Sequence, residues 1–118
     1  MKILVTTISA AFAVFAMTSC VANKGNFLLI NKAKEPISQA LVTVCGQTIE
    51  LRDIQPGISE AGSYEVKSDS HYDVRIKFQS GKKLQKGVGY VTNGLDFHHD
   101  IVITDTNIEM VSDKIKAQ

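Results

Sequence analysis

The chain has 118 residues, 44% of them hydrophobic, with 13 basic against 12 acidic side chains. That length supports one domain with one core rather than several. The near-zero balance supplies no basic excess, so neither nucleic acid nor a polybasic lipid contact is expected as a partner.

The first element is a leader. Lys2 precedes an uncharged run that opens at Ile3 and closes on Ala16-Met17-Thr18-Ser19-Cys20. One positive charge, a short apolar stretch and small residues before a cysteine form an export signal. Ile3 to Met17 is fifteen residues, short of the ~20 a transmembrane helix needs. A cut after Ala22 is the alternative processing and would remove Cys20 with the leader. Met17-Thr18-Ser19-Cys20 resembles the lipobox of the type II signal sequences of bacterial lipoproteins, with Met17 where that family favours leucine. The resemblance implies that residues 1–19 are removed and that Cys20 becomes an acylated first residue on a short tether, residues 20–25. Val21, in place of Asp, implies the outer rather than the inner membrane where the enterobacterial sorting pattern holds. The acyl chains, at ~0.8 kcal/mol per buried methylene, would then hold the protein to the bilayer. Ninety-nine residues would remain, with 12 basic and 12 acidic side chains, because Lys2 is the one charged residue of the leader. Cys45 would have no partner within the chain and is expected either to be shielded or to pair with another chain.

Residues 26–111 read as a strand domain. Asn26 to Asn31 is the first strand. Gln39 to Cys45 sets Val42 and Val44 on one face, and Thr48 to Arg52 pairs Ile49 with Leu51. Ser63 to Lys67 pairs Tyr64 with Val66. His71 to Phe78 alternates without a break, Tyr72, Val74, Ile76 and Phe78 on one face and His71, Asp73, Arg75 and Lys77 on the other. Such alternation marks a half-buried strand. Lys83 to Thr92, Phe97 to Thr104 and Asn107 to Val111 complete the set, and residues 112–118 read as a polar tail. Gly46-Gln47, Gln55-Pro56-Gly57, Gln79 to Lys82, Asn93-Gly94 and Asp105-Thr106 supply turns. Asn93-Gly94 carries the strongest hairpin signal. Seven or eight short strands predict an all-β fold, a small antiparallel β-sandwich of immunoglobulin-like or transthyretin-like layout, with a small β-barrel as the alternative. The absence of tryptophan excludes the Cys-Trp-Cys immunoglobulin core.

Chemistry is sparse. There is no Gly-x-Ser-x-Gly, and Gly87-Val88-Gly89 lacks the third glycine and the helix of a dinucleotide site. Asp69, His71 and Asp73 share one face, while His98 and His99 point oppositely on a strand and lack structural zinc spacing. No enzyme, cofactor or metal site is therefore expected, and His99 reads as a half-buried, hydrogen-bonded imidazole. Gly87 and Gly89 mark either a bulge or a flat edge open to a partner strand. Lys82, Lys83 and Lys86 read as a solvated hairpin tip. The resulting expectation is a lipid-anchored, periplasm-facing envelope module that binds a protein partner without catalysis. The candidate surface is His71, Asp73, Arg75 and Lys77, with Lys83, Gly87, Gly89 and Tyr90 along the edge. The alternatives are an inhibitor or immunity protein against a periplasm-active toxin or wall hydrolase, and a metal or small-ligand carrier using His71, His98 or His99.

Overall fold

The computed structural model describes residues 23–115, with side chains to Val111. The expected leader, Cys20 and residues 116–118 lie outside the described residues. Eight strands follow in order: β1 (Asn23–Asn31), β2 (Ile37–Val44), β3 (Gln47–Ile54), β4 (Ser59–Val66), β5 (Ser70–Phe78), β6 (Lys83–Val91), β7 (Phe97–Ile103) and β8 (Ile108–Ile115). They form two four-stranded sheets, β4-β1-β7-β8 and β3-β2-β5-β6. The fold is an all-β sandwich and not a closed barrel. An immunoglobulin domain groups its first, second, fifth and fourth strands. Here the first and second strands lie in different sheets, so that layout is set aside and the transthyretin-like one stands. Five of the six ladders are antiparallel and β1–β7 is parallel. A parallel neighbour needs a long crossover, and the chain between β1 and β7 provides it.

Alternation becomes burial. Tyr72, Val74, Ile76 and Phe78 of β5 are each at most 2% exposed, while His71, Arg75 and Lys77 are exposed. The second sheet contributes Phe27 and Leu29 of β1 and Ile101 and Ile103 of β7 to the same core. Each such side chain stabilises the fold by ~1.5–3 kcal/mol when fully buried. Two glycines let aromatic rings lie across the β1–β4 ladder. Gly25 sits opposite Tyr64 and Gly62 opposite Phe27. A β-carbon at Gly25 would fall within 2.0 Å of the Tyr64 ring, and one at Gly62 within 2.3 Å of the Phe27 ring. Asn31, fully buried, ties three elements together. Its amide donates to the carbonyls of Glu35 and Ile54, at 3.1 and 2.9 Å, and its side-chain oxygen accepts from the Ala33 backbone, at 2.9 Å.

Several expectations are corrected. β1 begins at Asn23, inside the stretch expected as tether, because Asn23 to Gly25 pair with β4 and Gly25 also with β7. β8 continues to Ile115, into the expected tail, because that segment extends the ladder as far as Phe97. The β2–β3 turn centres on Cys45 and Gly46, with φ of 50° and 71°, rather than on Gly46-Gln47. Two positive φ values are those of a type I′ turn, whose twist suits a hairpin. Asn93-Gly94 forms a turn but no hairpin, since β6 and β7 belong to opposite sheets. The crossing is fixed by side chains. Asp69 accepts from the Asn93 backbone at 2.8 Å, and Asp96 accepts from the Asn23 amide and the Lys24 backbone at 2.9 and 2.8 Å. Gln55-Pro56-Gly57 turns as expected, with Gly57 at φ 83° and Ile58 N–H donating to the Gln55 carbonyl at 3.0 Å.

Candidate functional site

The alternation of β5 and the β5–β6 hairpin place the outward stripe on the solvent face of the second sheet. Arg75 lies opposite Gln85 and Lys77 opposite Lys83 across one ladder. Leu41 of β2 lies opposite Arg75 and Gln39 opposite Lys77 across the other. Together these side chains line an open groove of about 470 Å³ over Leu41. Arg75 stands 3.7 Å from Asp73, and Glu50 bridges Arg52 at 2.5 Å while accepting from the Gln39 amide at 2.9 Å. Lys77 and Lys83 have no carboxylate within ion-pairing distance among the described residues. Like charges directly opposite on a ladder are destabilising, so the pair works against the fold.

Four members of the predicted surface, Arg75, Lys77, Lys83 and, through its ion pair, Asp73, are thus brought to the groove. The other members stand apart. The His71 ring lies over Gly87, and a β-carbon there would approach it to 3.2 Å. Gly89 and Tyr90 oppose His71 alone, since the register passes from Tyr72↔Val88 to Ser70↔Val91. With Gly89 at φ 70° this is a bulge built on a left-handed glycine. The bulge turns both Val88 and Val91 inward and leaves Tyr90 56% exposed, where simple alternation would put Val88 and Tyr90 on one face. Edge lysines and a bulge blunt strand pairing, so β6 is not the flat edge that was one of its two expected forms. The β4 edge is covered at Glu65, whose backbone exchanges two hydrogen bonds with the Gln47 amide, at 2.8 and 3.1 Å.

The three hairpin lysines diverge. Lys82 donates to the Asp105 carbonyl and lies 5.8 Å from the Phe78 ring centre, Lys86 donates to Asn107 at 3.0 Å, and Lys83 lines the groove. The histidines also separate. His71 is on the outer face of one sheet, and His98 is outside the other, with Nε2 3.2 Å from Asp100. His99 is fully buried rather than half-buried. Its Nδ1 shares a 2.8 Å hydrogen bond with the Tyr72 hydroxyl, which shares a 2.5 Å bond with Tyr64, and its ring stacks on Phe97 at 5.3 Å. Burial pushes the Tyr64 hydroxyl above its ordinary value of 10.0; the Tyr72 hydrogen bond opposes that and the Cys45 thiol adds to it. Cys45 is buried, its thiol 3.4 Å from the Ser68 carbonyl. Among the described residues no group of three or more His, Cys, Asp or Glu side chains could hold a metal ion.

The sequence reading missed Gln39 and Leu41, while Gln85 falls within the Lys83 to Tyr90 edge it pointed to. Leu41 was the available signal, as an apolar residue on the polar face of β2.

No family model matches the chain, and no curated protein matches it in sequence. Solved structures resemble its fold. A protein from Eubacterium rectale superposes with a TM-score of 0.56 at 17% identity, over 75% of this chain and 87% of that one. A candidate cell adhesion protein from Bacteroides ovatus ATCC 8483 superposes at 0.50 with 6% identity, over 96% of this chain and 49% of that one. The tip fimbrial protein Mfa3 from Porphyromonas gingivalis gives 0.48 at 9% identity, over 80% of this chain and 51% of that one. The chain thus spans about half the length of these last two proteins, and at such identities the likeness is one of fold.

Proposed function

We propose that the chain is a lipid-anchored envelope protein that binds a protein partner at the membrane surface and catalyses nothing itself. The reading rests on the lipobox-like Met17-Thr18-Ser19-Cys20 together with the start of β1 at Asn23. Only Val21 and Ala22 separate Cys20 from the first strand, a reach of about 10 Å. Acylation of Cys20 would hold the Asn23 end of the sandwich against a bilayer. That end also carries the Cys45-Gly46 turn and the Asn93–Asp96 crossing. Lys77 and Lys83 would stand at the far end, about 23 Å away along β5. Such a domain acts on neighbours at one fixed height and does not search the periplasm. The outer membrane is the favoured address, where the enterobacterial sorting pattern holds, because Val21 is not aspartate. The fold shared with the Bacteroides ovatus candidate cell adhesion protein supports a surface binding role in kind.

Mass spectrometry of the isolated protein tests the anchor. Fatty acid on residue 20, and loss of the protein from the membrane fraction in Cys20→Ser, are the expected results. A soluble product that begins at Asn23, or an uncut chain in the cytosol, would remove the reading.

A further inference from the structure

We infer that the groove over Leu41 takes an acidic polypeptide segment, held by Lys77 and Lys83 with Arg75 beside them. The inference deepens the binding role above and rests on it. Three features select the occupant. First, the groove concentrates positive charge in a chain whose totals nearly cancel. Lys77 faces Lys83 across the ladder with no carboxylate within ion-pairing distance of either among the described residues, and Arg75 adds a third cation to the same wall. A like-charge pair at directly opposed positions destabilises a sheet, and an anion laid between the two ammonium groups relieves that repulsion.

Second, the chemistry suits carboxylates on a peptide better than phosphate. Phosphate recognition favours a bidentate guanidinium or a nest of backbone N–H groups. Here the one guanidinium is already 3.7 Å from Asp73, and the groove floor is sheet, whose N–H groups are taken by the ladders on both sides of β5. Lysines are compact point charges on flexible stems and adapt to carboxylates at varied positions. Gln39 and Gln85 offer amides, which donate to and accept from a peptide backbone, and Leu41 offers an apolar seat for one side chain. Asp73 and Glu50 border the groove and repel a uniformly charged polyanion, but they leave room for a short segment with spaced acids.

Third, the location excludes the anchoring bilayer. Lys77 stands about 23 Å along β5 from the Asn23 end, several times the ~8 Å over which exposed charges act at physiological salt. Headgroups beneath an anchored Cys20 are out of reach of these lysines.

The test uses the processed protein purified from expressing cells and a short fluorescent glutamate-rich peptide with one central valine. Inorganic pyrophosphate and vesicles of phosphatidylcholine with phosphatidylglycerol serve as parallel probes. The peptide is expected to bind saturably and more weakly as salt rises. The Lys77→Gln/Lys83→Gln double variant should lose about tenfold in affinity, the worth of two exposed ion pairs. The same variant should unfold in urea at the wild-type midpoint or above it, because a repulsive pair has been removed. Lys24→Gln/Lys67→Gln, which removes equal charge from outside the groove, should stay within about twofold of wild type. Absence of peptide binding, preference for pyrophosphate or vesicles, equal losses in the two double variants, or destabilisation of the groove variant would each overturn the inference. If any of these occurs while Cys20 carries fatty acid and a partner is still retained at the membrane, the acidic-segment assignment falls alone and the broader role survives.

Discussion

Replacing Tyr72 by phenylalanine probes the polar chain at the centre of the sandwich. The change keeps the ring, which meets Phe27, Tyr64 and His99 edge-on at centroid distances of 5.9, 5.6 and 5.0 Å, so packing is preserved. It deletes the hydroxyl that joins Tyr64 at 2.5 Å to His99 Nδ1 at 2.8 Å. A neutral hydrogen bond contributes about 1 kcal/mol net, and each buried polar atom left without a partner costs a further ~1–3. His99 has additional interactions, so its share falls at the low end. The expected destabilisation is about 2–4 kcal/mol, or roughly 10–20 °C in Tm for a domain of this size. Urea unfolding followed by far-UV circular dichroism at fixed pH gives the number without relying on tyrosine emission. The decisive sample is the double variant Tyr64→Phe/Tyr72→Phe. Removing both hydroxyls of a pair leaves fewer stranded groups than removing one, so the two single losses should exceed the double by about 1 kcal/mol or more. Strict additivity, or a Tyr72→Phe loss below about 0.5 kcal/mol, would refute the view that this chain is a coupled, buried network.

Three further outcomes follow from the same interior. Tyr64 is raised above 10.0 chiefly by burial, so its stabilising share is intact below pH 10 and is lost as pH climbs from there through the folded-state value, where the unfolded chain releases the proton first. Urea midpoints measured from pH 8 to pH 11 should therefore fall less steeply in Tyr64→Phe than in wild type, and parallel curves would contradict the assignment. Gly25→Ala should cost about 2–4 kcal/mol in the same urea assay, against the small gain glycine-to-alanine changes give at relaxed sites, because the new methyl would collide with the Tyr64 ring and break its bond to Tyr72; an unchanged midpoint would count against the close approach. Cys45, 8% exposed, should react with a thiol reagent roughly a hundredfold more slowly in the native protein than in urea, and the unfolded chain should titrate as one thiol if Cys20 is acylated.

Strand identity was legible because side-chain period is a local property. His71 to Phe78 shows its two faces in any eight-residue window, and burial follows it residue by residue. What crosses between sheets was not legible. Asn93-Gly94 has the chemistry of a hairpin turn, yet β6 and β7 part there because Val91 and Phe97 bury into the one core from opposite sheets. That outcome depends on Asp69, which reaches Asn93 from 24 positions away in the chain, and on Asp96 within the crossing, which reaches Asn23, 73 positions away. Gly89 was legible as a bulge or an edge but not as one of the two, since the choice rests on its register against His71. For the candidate site, the stripe of β5 was visible, and so were Lys83 and the short turn before it. The groove was not, because Leu41 and Gln39 join it only through the β2–β5 register, in which a shift between Ile37 and Gln39 sets the phase.

The two faces of β5 impose opposite demands, and the strand's position reconciles them. It is hydrogen-bonded on both sides, to β2 and β6, and its inner face carries four side chains at most 2% exposed. A backbone so held opens only in near-global unfolding. Arg75 and Lys77 are therefore presented from a central strand of the sheet, and a ligand meeting them has little backbone to order. Preorganisation of that kind raises affinity by lowering the entropic cost of binding rather than by adding contacts. The Lys77–Lys83 repulsion is tolerable for the same reason, since a penalty of about 1 kcal/mol or less at two exposed positions is small beside the burial of Ile76 and Phe78 on the reverse side. Were these lysines carried by a loop, the chain would relax to separate them; on β5 and β6 the ladder keeps them opposed. Native-state hydrogen exchange distinguishes the two pictures. The amides of Val74 to Phe78 should exchange among the slowest in the protein and stay so in Lys77→Gln/Lys83→Gln. Faster exchange there than in β8 of the wild type would mean the groove is assembled on binding rather than held ready.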